Sequence, residues 1–69
     1  MTIRELYDSI TIQGAYRILG WDDAGEECEV LADGEYFESD WHLVRKYADM
    51  TITYMYASGK KLHIEVVIQ

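Results

Sequence analysis

The last twenty residues most constrain the fold, because apolar side chains recur at every second position along two short runs. The apolar positions are Met50, Ile52, Tyr54 and Tyr56 in the first run, and Leu62, Ile64, Val66 and Ile68 in the second. A period of two is that of a β-strand, whose successive side chains point to opposite faces. Between the runs lies the turn composition Ser58-Gly59-Lys60. The pattern therefore predicts a β-hairpin.

Two registers of this hairpin follow from two loop lengths. A two-residue loop at Ser58-Gly59 places Ile52 opposite Glu65 and Tyr54 opposite His63. A three-residue loop at Ser58-Gly59-Lys60 gives the pairs Tyr56–Leu62, Tyr54–Ile64, Ile52–Val66 and Met50–Ile68. A slip of one residue turns every side chain over. We expect the second register, since it collects the apolar side chains on one face.

The amino-terminal residues predict a short helix. Thr2 and Glu5 have the spacing of a capping box, in which each side chain binds the other residue's backbone N–H. An apolar stripe at helical spacing follows at Ile3, Leu6, Tyr7 and Ile10. Gln13-Gly14 is expected to end this helix, because glycine tolerates the positive φ of a helix stop.

Residues 15–32 predict a second hairpin. Ala15–Trp21 and Glu27–Ala32 form two alternating runs, and Asp22-Asp23-Ala24-Gly25 between them has turn composition. The expected register pairs Ile18 with Val30, Tyr16 with Ala32 and Gly20 with Cys28, which makes one face apolar.

Residues 33–49 predict a second helix, with Ser39 as the N-cap and Leu43, Val44 and Tyr47 facing the core. An alternative uses Asp33-Gly34 as a hairpin turn that begins a third strand at residues 35–37. A helix that begins near residue 35 is the other alternative, so residues 35–38 stay open between helix, strand and loop. The start at Ser39 is favoured.

These elements have the order α-β-β-α-β-β, which predicts a single α+β domain over residues 1–69. We expect a four-stranded antiparallel sheet with two short helices on one face. No apolar run approaches the roughly 18 residues of a membrane helix, and the amino terminus lacks the pattern of a secretory signal. The expected setting is cytoplasmic, with no membrane partner.

The acidic residues are concentrated in the middle of the chain. The net charge is −7, and nine of the thirteen Asp and Glu residues fall within residues 22–40, where no Lys or Arg occurs. One interpretation is a solvated surface that maintains solubility. The functional interpretation is an acidic surface that engages a basic site on a protein partner. Its candidate contacts are Asp22, Asp23, Glu26, Glu27 and Glu29, with Trp21 as an aromatic anchor.

Other function classes have less support in the sequence. Six Lys and Arg residues are too few for direct nucleic-acid binding. Cys28 lies between Glu27 and Glu29, whose charges disfavour a thiolate, and we expect a buried structural cysteine. His42 and His63 do not form a close-spaced ligand pair with it, and His63 is expected on the face opposite the apolar stripe. We expect no enzyme activity, no metal and no cofactor. Free strand edges on the final hairpin favour a homodimer as the alternative function.

The element order, the acidic middle and the closing run Tyr54–Val66 (YMYASGKKLHIEV) resemble small uncharacterised proteins of phages and mobile elements of gut Firmicutes. The resemblance implies a bacterial, cytoplasmic setting and an accessory role. Some proteins of that kind are DNA mimics or anti-CRISPR-type inhibitors, which occupy the nucleic-acid site of a host nuclease. No catalytic motif is carried over by this resemblance.

Overall fold

A computed structural model describes residues 1–9, 14–22 and 24–68 of the 69-residue chain. The elements are α1 (Ile3–Ser9), β1 (Ala15–Trp21), β2 (Cys28–Gly34), α2 (Trp41–Val44), β3 (Ile52–Ser58) and β4 (Lys61–Val67). The predicted α+β class and element order are confirmed. Three residues used in the predictions, Ile10, Gln13 and Asp23, lie outside the described residues.

Helix α1 begins at the predicted capping box. The Thr2 backbone N–H donates to Glu5 Oε1 at 2.9 Å, and the Glu5 N–H donates to Thr2 Oγ1 at 3.2 Å. Ile3 and Leu6 are buried against the sheet. The Ile3 N–H also donates to the Met50 carbonyl, which joins the start of the helix to the segment that precedes β3.

The four strands form one mixed sheet in the order β2-β1-β4-β3, in which β1 and β4 are parallel and the other two neighbouring pairs are antiparallel. The expected purely antiparallel sheet is therefore wrong. Strands β2 and β3 run in the same direction at opposite edges, so the chain between them has to cross one face of the sheet. Helix α2 lies on that crossover. Because β1 and β4 are parallel, the β1–β2 turn and the β3–β4 turn lie at opposite ends of the sheet.

The register of β1 with β2 differs from the predicted one. Ile18 pairs with Ala32 rather than Val30, and Tyr16 pairs with Gly34 rather than Ala32. The turn is displaced by one residue relative to the prediction, and Leu31 is an extra residue in β2 that displaces the register by one more. Val30 then pairs with Leu19, which places it on the face away from the helices, where it is 54% exposed. Cys28 pairs with Trp21 rather than Gly20 and is exposed, so the predicted buried cysteine is also wrong.

The β3–β4 hairpin has a two-residue turn, Gly59-Lys60, with φ angles of 61° and 63°. Two successive positive φ angles are typical of a type I′ turn, whose twist matches that of paired strands. The predicted pair Ile52–Val66 is confirmed, whereas Tyr54 faces Glu65 and Tyr56 faces His63. The predicted pairs Tyr54–Ile64 and Tyr56–Leu62 are wrong, because the shorter turn and a bulge at residue 53 move both tyrosines to the other face.

The second helical segment is shorter than predicted, with α2 followed by a 3₁₀ turn over Arg45–Tyr47. Its N-cap is Asp40 rather than Ser39. Leu43, predicted to face the core, is 55% exposed, whereas Val44 is fully buried. Residues 35–38 are loop and turn.

The core lies between the helices and one face of the sheet. Its buried side chains are Ile3, Leu6, Tyr16, Ile18, Phe37, Val44, Ile64 and Val66. Phe37, from the loop before α2, packs edge-on against the Tyr16 ring at 5.4 Å between centroids. The opposite face of the sheet, called the outer face below, carries the side chains of Arg17, Leu19, Trp21, Val30, Asp33, Tyr54, Tyr56, Lys61, His63 and Glu65.

Candidate functional site

The predicted acidic contacts lie at the tip of the β1–β2 hairpin. We call Asp22, Glu26, Glu27 and Glu29 the acidic end; Asp23, the fifth predicted contact, lies outside the described residues. Backbone hydrogen bonds close the tip, since the Asp22 N–H donates to the Glu27 carbonyl and the Gly25 N–H donates to the Asp22 carbonyl, both at 3.0 Å. Gly25 has a φ of 71°, which favours glycine. The local sequence therefore forms a defined turn that presents the carboxylates.

Asp22 differs from the glutamates in its surroundings. Its Oδ1 accepts a hydrogen bond from the Glu26 backbone N–H at 2.8 Å, and the residue is half-buried. This is the local bond by which an Asp side chain stabilises a turn. Asp22 therefore orders the tip, in addition to any contact that it makes with a partner.

The glutamates of the acidic end are exposed. Ion pairs among the described residues join Arg4 to Asp49, and Arg17 and Lys61 to Asp33. None of these pairs includes Glu26, Glu27 or Glu29. Within the described part of the chain, the charges of these three glutamates are therefore not neutralised by a neighbouring cation.

Trp21 is not placed as a free aromatic anchor. Its indole N–H donates to Glu65 Oε1 at 2.8 Å across the β1–β4 pair, and the side chain is half-buried on the outer face. Glu29 pairs with Gly20 and belongs to the opposite face. The sequence predicted Trp21 as an anchor beside the acidic contacts, but in the structure Trp21 and Glu29 lie on opposite faces of the sheet.

An open cavity of about 350 Å³ lies beside the acidic end. It is lined by Gly20, Asp22, Glu27, Cys28, Glu29 and Ile68. Three of the predicted contacts, Asp22, Glu27 and Glu29, thus share one concave surface, which Glu26 and Trp21 do not line. The cavity is open to solvent rather than enclosed, and its volume admits one or two side chains of a partner.

The residues considered for metal or nucleophilic chemistry lie apart. Cys28 is on the edge strand β2, the His42 ring binds the Ser39 carbonyl, and His63 is in the middle of the sheet. His63 occupies the predicted face but is half-buried. Among the described residues, no group of three or more His, Cys, Asp and Glu side chains is arranged to hold a metal ion.

The outer face holds two side-chain clusters that the sequence pattern does not predict. Asp33 accepts hydrogen bonds from Arg17 Nε at 2.8 Å and from Lys61 Nζ at 2.9 Å, and these bonds lower the pKa of its carboxyl. The Tyr56 ring stacks on the His63 ring at 4.8 Å between centroids. The Tyr54 ring lies next to the Tyr56 ring, at 5.4 Å between their centroids. Both clusters depend on the strand registers, so finding them in the sequence requires the correct turn and bulge positions.

Comparisons with protein-family models, curated proteins and solved structures give no match to this chain. In the described part of the chain, the helices are too short and too polar to cross a lipid bilayer.

Proposed function

We propose that this chain is a non-enzymatic binding protein whose acidic end engages a basic, nucleic-acid-binding site on a protein partner. The observation that carries the proposal is the arrangement of Glu26, Glu27 and Glu29, which are exposed on one ordered hairpin tip and have no cation partner among the described residues. Carboxylates held at fixed spacing can occupy positions that a basic site otherwise gives to phosphates. This is the mode of action of DNA mimics and anti-CRISPR-type inhibitors.

The structure of the tip supports this use of the charges. A flexible acidic segment loses conformational entropy when it binds, whereas a tip that is already closed by hydrogen bonds loses less. Asp22 supplies part of that order through its bond to the Glu26 N–H. The cavity beside the tip adds a recess for a Lys or Arg side chain, next to Glu27 and Glu29. The expected binding is fast and salt-dependent, because exposed charges steer association and are screened by ions.

The experiment is affinity capture from a bacterial lysate with the tagged full chain. The lysate is used with and without nuclease treatment, and the captured material is washed at low and at high salt. We expect a basic, nucleic-acid-binding protein to be retained at low salt, also after nuclease treatment, and to be lost at high salt. Retention that disappears with nuclease treatment would mean that nucleic acid bridges the two proteins, which contradicts the proposal.

A charge-neutral variant locates the binding surface. The variant E26Q/E27Q/E29Q keeps Asp22, and therefore the order of the tip, while it removes three charges. The matched control D8N/E35Q/E38Q removes three charges from other exposed carboxylates, which lie on α1 and in the loop after β2. We expect the first variant to lose capture and the control to retain it. Equal retention by both variants would exclude the acidic end as the contact surface.

A further inference from the structure

The two edges of the sheet differ in how well they are protected against pairing with another chain. Edge strands in soluble proteins are usually protected by charged residues, proline or bulges, because their free N–H and C=O groups can pair with a further strand. Strand β2 carries Glu29 and Asp33. Over residues 54–58, strand β3 has no charged residue, no proline and no bulge, and the uncharged stretch of the sequence extends over residues 50–59. In a chain with a net charge of −7, β3 is therefore an unusual edge.

The side chains of β3 are also apolar and exposed. Tyr54 is 61% exposed, Met55 42% and Tyr56 37%. Tyr54 and Tyr56 lie on the outer face, whereas Met55 pairs with Ile64 and lies on the helix side. Both faces of this edge thus offer apolar surface next to the free backbone groups, which is the arrangement that a paired strand would cover.

The geometry of the β3–β4 hairpin determines which backbone N–H and C=O groups of β3 point away from β4, toward the free edge of the sheet. In a two-residue turn, Ser58 and Lys61 form a hydrogen-bonded pair, and such pairs alternate along an antiparallel ladder. Tyr56 and Tyr54 then bond to β4, and Met55 and Ala57 direct their N–H and C=O groups to the free edge. The bulge at residue 53 ends this regular stretch, so the edge that is available for pairing is residues 54–58.

We infer that β3 is the interface of a homodimer, in which residues 54–58 pair antiparallel with the same residues of a second copy. Met55 and Ala57, whose backbone groups point to the free edge, lie one residue on either side of Tyr56, as a two-fold axis through Tyr56 requires. A register centred on Tyr56 places Met55 opposite Ala57 of the second copy and joins them by hydrogen bonds at both ends. It also places the two Tyr56 rings side by side on the outer face, each stacked on its own His63. The two four-stranded sheets become one sheet of eight strands.

Charge favours β3 over β2 as the edge at which two copies of this chain meet. Two copies that each carry a net charge of −7 repel one another over most of their surfaces. The uncharged strand β3 lets two copies meet without placing like charges directly opposite each other. Pairing through β2 would instead bring Glu29 and Asp33 of one copy close to the same acidic residues of the second copy. This inference is independent of the proposed function, because the acidic end lies on the β1–β2 hairpin at the other edge.

Oligomeric state across a concentration series tests the inference, with sedimentation or light scattering as the measurement. We expect a concentration-dependent rise from 8.1 kDa to twice that mass. The variants M55K/A57K and M55E/A57E place like charges on both sides of the axis, and each alone should stay monomeric. Mixed in equal amounts, they should form a heterodimer, since every introduced lysine then faces an introduced glutamate of the other variant across the interface.

The matched control is C28K/V30K, which adds the same two charges at the same spacing on the exposed edge β2. It should dimerise like the parent chain. A parent chain that stays monomeric at all concentrations, a control that dissociates, or a mixture that fails to associate would overturn the inference. Far-ultraviolet circular dichroism of each variant separates lost association from lost folding.

A cysteine pair tests the register. In the C28S background, Y56C places two thiols in a pair without backbone hydrogen bonds, whose Cα atoms lie about 4.5 Å apart. That separation is within the range of a disulfide, so oxidation should give a cross-linked dimer. Y54C in the same background faces Ser58 of the second copy and should cross-link several-fold more slowly. Equal cross-linking of both variants would contradict a register centred on Tyr56.

Discussion

Tyr16 and Asp40 show how a single polar contact decides the position of a loop. The Tyr16 ring is buried in the core, and its hydroxyl donates to Asp40 Oδ2 at 2.8 Å. Burial raises the pKa of this hydroxyl, and the hydrogen bond to Asp40 raises it further. Asp40 makes no capping bond to α2, since its carboxylate serves this contact. A pattern of apolar spacing contains no information about such a bond, which explains why the sequence predicts Ser39 as the N-cap.

We predict that Tyr16→Phe lowers the free energy of unfolding by about 1–2 kcal/mol, because the ring is retained while the hydrogen bond to a charged acceptor is lost. Denaturant unfolding at pH 7 measures this difference. Tyr36→Phe is the matched control, since Tyr36 is 63% exposed and its substitution should have almost no effect. Equal stability of the Tyr16→Phe variant and the parent chain would show that the bond does not contribute.

The contact between Tyr16 and Asp40 also predicts that the free energy of unfolding depends on pH in the alkaline range. A tyrosine whose pKa is raised by folding stabilises the native state below the unfolded pKa, and that contribution is lost as the pH rises through about 10 toward the folded value. The stability difference between the parent chain and Tyr16→Phe should therefore shrink above about pH 10. Unfolding measured from neutral pH to about pH 11 tests this expectation, and a difference that grows with pH would contradict it.

At the scale of elements, the hairpins show which part of the fold the sequence predicts. Alternation identified all four strands, because it depends only on the period of the side chains. Apart from the pair Ile52–Val66, it did not predict the registers, because the apolar pattern fixes neither the turn residues nor the position of a bulge, which adds one residue to a strand. Leu31 in β2 and Thr53 in β3 are such positions. The outer-face clusters around Asp33 and Tyr56 could not be predicted for the same reason.

The β3–β4 turn gives a prediction of its own. Lys60 has a φ of 63°, which is unfavourable for a residue with a Cβ. Lys60→Gly should therefore raise the free energy of unfolding by about 0.5–1 kcal/mol, after the greater freedom of glycine in the unfolded chain is subtracted. Gly59→Ala, at a φ of 61°, should lower it by about 1 kcal/mol. Thermal or denaturant unfolding measures both, and the same sign for both changes would contradict the type I′ turn.

Asp33 connects three strands of the sheet, because it lies on β2 and accepts hydrogen bonds from Arg17 on β1 and Lys61 on β4. The hydrogen bonds from Lys61 and Arg17 lower its pKa, so its contribution is present above the ordinary value of about 3.9 and is lost as the pH falls below it. We predict that Asp33→Asn lowers the stability by less than about 1 kcal/mol at pH 7. Unfolding measured from neutral pH to about pH 2 should show this difference disappear below about pH 4. A difference that persists at the acid end would mean that packing, not charge, is responsible.

At the scale of the whole molecule, the topology separates two surfaces with different properties. The crossover through α2 places β2 and β3 at opposite edges, so the acidic end and the uncharged edge strand do not overlap. The sequence predicted the concentration of negative charge in residues 22–40, because charge is read directly from composition. It did not predict that the two surfaces lie at opposite edges of the sheet, since that follows from the parallel pairing of β1 with β4. Two binding events on one small chain are thereby compatible.

The most direct test of the proposed function is competition for the nucleic-acid site of the captured partner. Labelled DNA or RNA is bound to the purified partner, and fluorescence anisotropy is followed as this chain is added. We predict full displacement by the parent chain and by M55K/A57K. The variant E26Q/E27Q/E29Q should need at least about tenfold more protein for the same displacement, and high salt should abolish displacement by every variant. A ternary complex, in which the partner holds this chain and the nucleic acid together, would contradict the proposal that the acidic end occupies the nucleic-acid site.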